Sequence, residues 1–219
     1  MGLSRYFLYA FIAALLLFSA FPELDIQFSA YFYDPVNRFY LSDAPVCHWI
    51  YKSVEIVSII WTVLAILLLL IAWVRKKSSV RSISKHLIYL LTVLAVGPGL
   101  IVNVIMKDNW GRARPYAIQQ FGGTAHFTPA FVISQECHHN CSFVSGHAAM
   151  GFYFIAFGFA FYSHKRLIFL MSSFYGTMVG LIRIIQGGHF LSDVVFAFFI
   201  VYSVASLLHD IMLKRKSIT

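Results

Sequence analysis

Six long apolar runs, separated by polar segments, dominate the hydropathy pattern of this chain. They cover residues 6–22, 50–74, 87–106, 147–163, 167–185 and 190–212. Each run is near the about 20 residues that a helix needs to cross the hydrocarbon core of a bilayer. Because the backbone of a spanning segment must satisfy its own hydrogen bonds in lipid, the pattern predicts an all-α, polytopic membrane protein. We expect a bundle of six transmembrane helices that forms one domain over residues 1–219.

Two glycine-containing segments interrupt this pattern. The Gly-Pro-Gly segment 97–99 lies inside the third run and predicts a kink. The Gly-Gly pair 187–188 separates the fifth run from the sixth and predicts a helix break, because glycine disfavours helix interiors. We therefore expect Arg183 near the end of one helix. His189 and Asp193 are expected on one face at the start of the next helix, as positions i and i+4.

The composition supports a membrane protein. Hydrophobic residues make up 59% of the chain and charged residues 12%, about half the share of about 25% in soluble domains. The net charge of +8 raises the question of nucleic-acid binding. However, the basic residues lie where the positive-inside rule expects them in a membrane protein, so we expect no nucleic-acid partner.

Most of the basic residues outside the motifs described below fall on one side of the predicted bundle. They are Arg5, Arg75, Lys76, Lys77, Arg81, Lys85, Lys165, Arg166, Lys214, Arg215 and Lys216. The positive-inside rule places this side, with both termini, in the cytoplasm. The polar block 107–144 and the Gly-Gly break then face outward. The first run is similar to a signal peptide, but Phe-Ser-Ala at 18–20 is a poor cleavage site, so we expect a retained anchor.

Two cysteines flank a short polar segment of the outer block, Cys137-His-His-Asn-Cys141. Its spacing is not a standard zinc pattern, and the ligands would be crowded. A local disulfide, two free thiols and a metal site remain open alternatives. A disulfide requires an oxidising compartment, which the outward position would supply.

The first cluster of charged residues follows the third run and contains Lys107, Arg112 and Arg114. Three cations within eight residues are costly beside a membrane span without an anionic partner. Arginine grips phosphate oxygens with two donors, and lysine adds a point charge. The alternative is that these side chains only reach to the interface and bind lipid headgroups.

The second cluster, Ser145-Gly146-His147, precedes the fourth run. Backbone N–H groups and a hydroxyl at a helix start bind anions, and a histidine there can protonate a leaving group. An N-cap followed by an interfacial histidine is the alternative. The third cluster is Arg183 with His189 and Asp193, where a carboxylate can fix the tautomer of an imidazole. A structural ion pair between Arg183 and Asp193 is the alternative there.

Taken together, the three clusters resemble the signature of the type 2 phosphatidic acid phosphatase superfamily. The matching patterns are Lys107-x6-Arg114-Pro115, Ser145-Gly146-His147 and Arg183-x5-His189-x3-Asp193. Six spans with the motifs on the outer face are similar to the membrane branch of that superfamily. Two positions depart from it: Val144 stands where the family usually has proline, and Ile182 where it usually has serine. Neither change removes an essential proton or charge, so we expect activity.

The resemblance implies a role for each motif residue. His189 is the nucleophile that forms a phosphohistidine, Asp193 orients it, and His147 protonates the leaving oxygen and later activates water. The groups that hold the phosphate are Lys107, Arg114, Ser145, the N–H of Gly146 and Arg183. Arg112 is a possible further contact with the substrate. Because cations can neutralise the phosphoryl oxygens, no cofactor or metal is expected.

The expected substrate is a lipid that carries a phosphate, handled at the periplasmic face of a bacterial inner membrane. The segments 111–115, 127–131, 140–148 and 188–193 resemble lipid A phosphatases, above all lipid A 4′-phosphatases. Undecaprenyl diphosphate, phosphatidylglycerophosphate and transfer of the phosphate to a lipid acceptor remain alternatives. The oligomeric state is left open.

Two other classes of protein fit less well. A rhomboid-type serine protease could use Ser145 and His189, but the chain has no Gly-x-Ser-Gly and such an enzyme has no use for a cluster of cations. An anion transporter carries charges near the middle of the membrane and often has inverted repeats. Here the charges lie at the predicted ends of the spans, and no repeat is visible.

Overall fold

The computed structural model of the protein describes residues 5–75 and 78–214, and no β-strand occurs among them. Nine α-helices lie in these two ranges. They are α1 (Arg5–Ala20), α2 (Glu23–Ala30), α3 (Pro45–Arg75), α4 (Ser78–Leu94), α5 (Lys107–Asn109), α6 (Gly146–Phe152), α7 (Ile155–Ala160), α8 (Lys165–Ile185) and α9 (Leu191–Met212). A π-helical segment, Ala95–Met106, joins α4 to α5. The prediction of an all-α protein is confirmed.

Four helical stretches of the described residues are long and apolar enough to cross a membrane: 45–74, 83–109, 165–185 and 191–212. The pair α1 and α2 makes a fifth only if its two parts, bent by 86°, count as one span. The fourth apolar run, predicted as one span over 147–163, forms the short helices α6 and α7 instead. The structure therefore supports four or five candidate spans rather than the six predicted.

The bend between α1 and α2 has a local cause. Pro22 stands directly before α2 and cannot donate a backbone hydrogen bond to α1. Proline also disfavours helical geometry at the residue before it. The bend turns α2 onto the beginning of α9, which brings Asp25 into the protein interior.

The Gly-Pro-Gly segment 97–99 lies within the π-helical segment. Pro98 has no N–H to donate, and its own carbonyl accepts a hydrogen bond from the Asn103 side chain at 2.9 Å. The predicted irregularity of the third run is therefore a widened helix. Such segments are frequent at functional sites, and this one leads directly into Lys107.

The helix α9 is the centre of the bundle and contacts α1, α2, α4, α6, α7 and α8. In its most apolar window 56% of the residues are buried, against 11% for α3. Phenylalanine rings hold α1 to α9, with Phe11 and Phe199 centred 5.3 Å apart. The apolar side chains of α3, such as Ile59 and Leu67, are exposed in the protein alone, as expected of a surface that lipid covers.

The Gly-Gly break between α8 and α9 is confirmed. Gly187 has φ +64°, and a Cβ atom there would lie 2.4 Å from the Phe39 ring, so only glycine fits without strain. Arg183 lies in the last turn of α8, as predicted. His189, however, precedes α9, which begins at Leu191, so its predicted place within the helix is wrong.

The orientation in the membrane remains a prediction. Of the basic residues that carry it, Lys76, Lys77, Arg215 and Lys216 lie outside the described residues.

Candidate active site

The predicted motif residues converge at one end of the bundle. Tyr116, just after the first motif, donates its backbone N–H to the carbonyl of Gly187 at 3.0 Å. Cys141 donates its backbone N–H to the carbonyl of Lys107 at 3.2 Å, and Ser145 donates its own to the carbonyl of Asp193 at 3.1 Å. Backbone hydrogen bonds therefore link all three motifs, although they are far apart in the sequence.

The carboxylate of Asp193 is entirely buried and fully engaged. Its Oδ2 accepts hydrogen bonds from the hydroxyl of Ser142 at 2.5 Å and from the backbone N–H of Phe190 at 2.8 Å. Its Oδ1 accepts from Arg112 at 2.6 Å. The same Oδ2 lies 3.4 Å from Nδ1 of His189. Asp193 thus caps α9 and faces the imidazole at the same time.

His189 is buried, and neither of its ring nitrogens has a hydrogen-bond partner of good geometry among the described residues. Burial lowers the pKa of His189 to about 3, the charge of Asp193 opposes this shift, and the charges of Arg183 and Arg114 add to it. The imidazole is therefore neutral at physiological pH. With Nδ1 directed at Asp193, the proton is expected on Nδ1, which leaves the lone pair of Nε2 available as a nucleophile.

Arg112, predicted as a possible further contact with the substrate, makes its observed contacts inside the protein. Its side chain is entirely buried, and each of its three guanidinium nitrogens donates to a protein oxygen. Two of these acceptors are the carboxylates of Asp25, at 2.8 Å, and Asp193, at 2.6 Å. The guanidinium also lies 4.3 Å above the Phe190 ring. Arg112 is an internal counter-ion that holds Asp193 in place.

Sequence reasoning missed Asp25, which completes this network from α2. Its carboxylate accepts from Arg112, from the backbone N–H of Ser192 at 2.8 Å and from the Ser192 hydroxyl at 2.5 Å. The only signal in the sequence was an acidic residue in the mixed segment 23–48.

Lys107 and Arg114 lie side by side because they share an acceptor. The side-chain oxygen of Asn140 accepts from Nζ of Lys107 at 2.9 Å and from Arg114 at 2.8 Å. Arg114 also donates to the backbone carbonyl of Asn140 at 2.8 Å. Two cations held so close attract an anion strongly.

Asn140 belongs to the cysteine-flanked loop, in which Cys137 and Cys141 form a disulfide. Of the three alternatives for this loop, the structure shows the disulfide. No group of three or more His, Cys, Asp or Glu side chains suited to a metal ion occurs among the residues that the structure describes.

Ser145 and Gly146 stand where α6 begins, as predicted. The hydroxyl of Ser145 accepts the backbone N–H of Ala148 at 3.4 Å and so caps the helix. A Cβ atom at Gly146 would lie 2.5 Å from the Asn103 side-chain oxygen and 3.2 Å from Nζ of Lys107. Glycine therefore allows Lys107 to pack against the start of α6.

Tyr51, a residue of α3 outside the motifs, lies between two motif side chains. Its ring stacks on His147, with centroids 4.3 Å apart and planes inclined by 25°. The Arg183 guanidinium lies over the same ring, 5.0 Å from its centroid, and also donates to Gln186 at 2.5 Å. Sequence reasoning missed Tyr51, whose only signal was an aromatic residue at the outer end of an apolar run.

Comparison with known proteins decides the family. The family model described as "PAP2 superfamily" matches residues 85–217, more than half of the chain. The chain belongs to the PAP2 superfamily. It is 37% identical over 209 residues to a lipid A 4′-phosphatase of Francisella tularensis subsp. novicida (strain U112), and the match covers 93% of this chain and 92% of that protein.

Two further known proteins are similar to this chain. A lipid A 4′-phosphatase of Rhizobium leguminosarum is 33% identical over 197 residues, covering 84% of each chain. One of Rhizobium etli is 40% identical over 105 residues, which are 48% of this chain and 41% of that protein. No solved structure matches the chain. Family and relatives together make this protein a multi-pass membrane phosphatase that acts on a phosphorylated lipid.

Proposed function

We propose that this protein removes the 4′-phosphate of lipid A at the periplasmic face of the bacterial inner membrane, through a phosphohistidine. The observation that carries the chemistry is the buried His189–Asp193 pair, 3.4 Å apart, in a site lined with cations. The choice of substrate is supported by relatives named lipid A 4′-phosphatase that match most of the chain.

In the first step, Nε2 of His189 attacks phosphorus, and the bond from phosphorus to the sugar oxygen breaks. Burial and the charges of Arg183 and Lys107 lower the pKa of His147 to about 4, so the proton that His147 gives to that oxygen enters with the substrate phosphate, and the sugar leaves as an alcohol. Asp193 accepts the hydrogen bond from Nδ1–H and stabilises the positive charge that the phosphorylated imidazole acquires. The products of this step are dephosphorylated lipid, phosphohistidine and neutral His147.

In the second step, neutral His147 takes a proton from water, and the water oxygen attacks phosphorus. The bond from phosphorus to Nε2 breaks, inorganic phosphate leaves with the proton that His147 took up, and both histidines return to their neutral states. Phosphoryl transfer requires alignment and charge neutralisation more than covalent help. Lys107, Arg114 and Arg183 supply the positive charge for the equatorial oxygens in both steps.

Two observations support a periplasmic site. The site lies at the end of the bundle opposite the predicted cytoplasmic residues Lys165 and Arg166, which begin α8 while Arg183 ends it. The disulfide beside Lys107 and Arg114 is of a kind that persists in an oxidising compartment such as the periplasm.

The test is to offer purified protein a mixture of lipid A, phosphatidylglycerophosphate and undecaprenyl diphosphate and to analyse all lipids by mass spectrometry. We expect lipid A to lose one phosphate, which fragmentation assigns to the 4′ position, with release of inorganic phosphate. Dephosphorylation of either other lipid, with lipid A intact, would reject the substrate. A phosphorylated acceptor lipid in place of free phosphate would reject hydrolysis.

A further inference from the structure

A polar cleft lies beside Arg183, and most of its lining has no part in the phosphate chemistry described above. Its volume is about 300 Å³, and it is lined by Ser42, Asp43, His48, Tyr51, Arg183 and Gln186. That volume lies at the lower end of the range of about 300–1,000 Å³ seen for small-molecule sites. The cleft therefore has room for a single small ring and not for a bulky group.

The position of the cleft matches that of the leaving group. Two of its walls, Arg183 and Tyr51, also belong to the catalytic site, since Arg183 holds phosphate and the Tyr51 ring stacks on His147. His147 protonates the leaving oxygen, so the substituent on that oxygen must extend from the His147 side of the phosphate. Tyr51, whose ring stacks on His147, is also a wall of the cleft, so the cleft adjoins that side of the phosphate site.

The lining of the cleft is chemically selective. Gln186 bridges its two edges, because it accepts from Arg183 at 2.5 Å and donates to the Ser42 carbonyl at 3.3 Å. Asp43 and His48 are exposed, and neither side chain has a hydrogen-bond partner among the described residues. An ionised carboxylate only accepts hydrogen bonds, so Asp43 favours a hydroxyl and repels a second phosphate.

We propose that this cleft binds the pyranose ring whose oxygen carries the scissile phosphate. Asp43 accepts hydrogen bonds from hydroxyl groups of the sugar, and His48 forms a hydrogen bond with another ring substituent. The Tyr51 ring provides an apolar surface for the sugar to pack against. The inference rests on the proposed function, because lipid A carries its 4′-phosphate on a glucosamine ring. It also predicts a preference for phosphate monoesters over diphosphates, whose leaving group would place a second anion beside Asp43.

The test uses Asp43→Asn and His48→Gln in the full-length protein, with Glu23→Gln, an exposed residue of α2, as a matched control. We expect each cleft variant to raise KM for lipid A about tenfold, since a hydrogen bond involving a charged group contributes about that much. The inhibition constant of orthovanadate, which occupies only the phosphate site, should stay unchanged. That second measurement also shows that the variants fold.

The outcomes separate the two proposals. Unchanged KM in both cleft variants, with lipid A still hydrolysed, would overturn the sugar subsite and leave the proposed function intact. Lower kcat together with weaker vanadate inhibition would assign these residues to the phosphate site and overturn the subsite as well. Wild-type protein that releases no phosphate from lipid A would reject the proposed function, and the subsite with it.

Discussion

Nδ1 of His189 lies 3.4 Å from Oδ2 of Asp193, although His189 precedes α9 and Asp193 lies in its first turn. The Asp193 carboxylate also accepts the N–H of Phe190, the residue directly before α9. The start of the helix and the direction of the imidazole are therefore set together. A carboxylate that is immobilised in this way can hold one tautomer of the histidine throughout a catalytic cycle.

Replacing His189 with alanine is expected to abolish turnover, by about 10³-fold or more, because it removes the nucleophile of the proposed mechanism. The measurement is phosphate release from lipid A, with trapping of radiolabelled phosphoprotein after an acid-free quench. His138→Ala, in the exposed disulfide loop, is the matched control and should keep both activity and label. Phosphoprotein of normal amount in the His189 variant would exclude it as the nucleophile.

The Asp25–Arg112 pair is expected to contribute to the stability of the folded protein and not to substrate binding. Asp25→Asn removes one of the two carboxylates that neutralise the buried guanidinium of Arg112. Breaking a buried ion pair lowers the free energy of unfolding by about 3–5 kcal/mol. Thermal unfolding in detergent should therefore shift downward, while KM for lipid A in the folded fraction stays near the wild-type value. A tenfold higher KM at unchanged stability would instead indicate that Arg112 binds substrate. Asp34→Asn, in an exposed turn, provides the control for the amide substitution.

Tyr51 is expected to act as a positioning residue through its ring and not through its hydroxyl. No hydrogen bond of the Tyr51 hydroxyl is found among the described residues, whereas its ring contacts both His147 and Arg183. Tyr51→Phe should keep near wild-type kcat, and Tyr51→Ala should lower kcat about tenfold because His147 loses its stacking surface. Equal losses in both variants would assign the effect to the hydroxyl.

The neutral, buried His189 is expected to make the protein less stable in acid. Its pKa is about 3 in the folded protein, against about 6.5 in an unfolded chain. The unfolded state therefore binds the proton more tightly, and stability falls as the pH drops from about 6.5 towards 3. His189→Asn lacks this titration, so its melting temperature should fall less than that of the wild type between pH 7 and pH 4. Parallel curves for the two proteins would contradict the buried neutral state.

The site could be predicted to the extent that it depends on short-range spacing. The motif residues, the helix start at Ser145 and the break at Gly187 all follow from residue types within a few positions, because capping and glycine geometry act locally. The structure of the fourth apolar run, by contrast, could not be predicted from local sequence. Its hydropathy fitted a span, but the chain breaks between α6 and α7, and a Cβ atom at Gly151 of α6 would lie 2.8 Å from the backbone of Gly176 in α8.

From its order of residues alone, the chain predicts an all-α membrane protein and the histidines and cations of a candidate active site. The role of Arg112, by contrast, depends on the folded chain. Its carboxylate partners stand 87 and 81 positions away, and Asp25 reaches Ser192 across 167 positions. The bend at Pro22 and the packing around α9 bury these charged groups together. A buried charge is stable only beside an opposite charge, and the tertiary structure decides which residues are close enough to supply it.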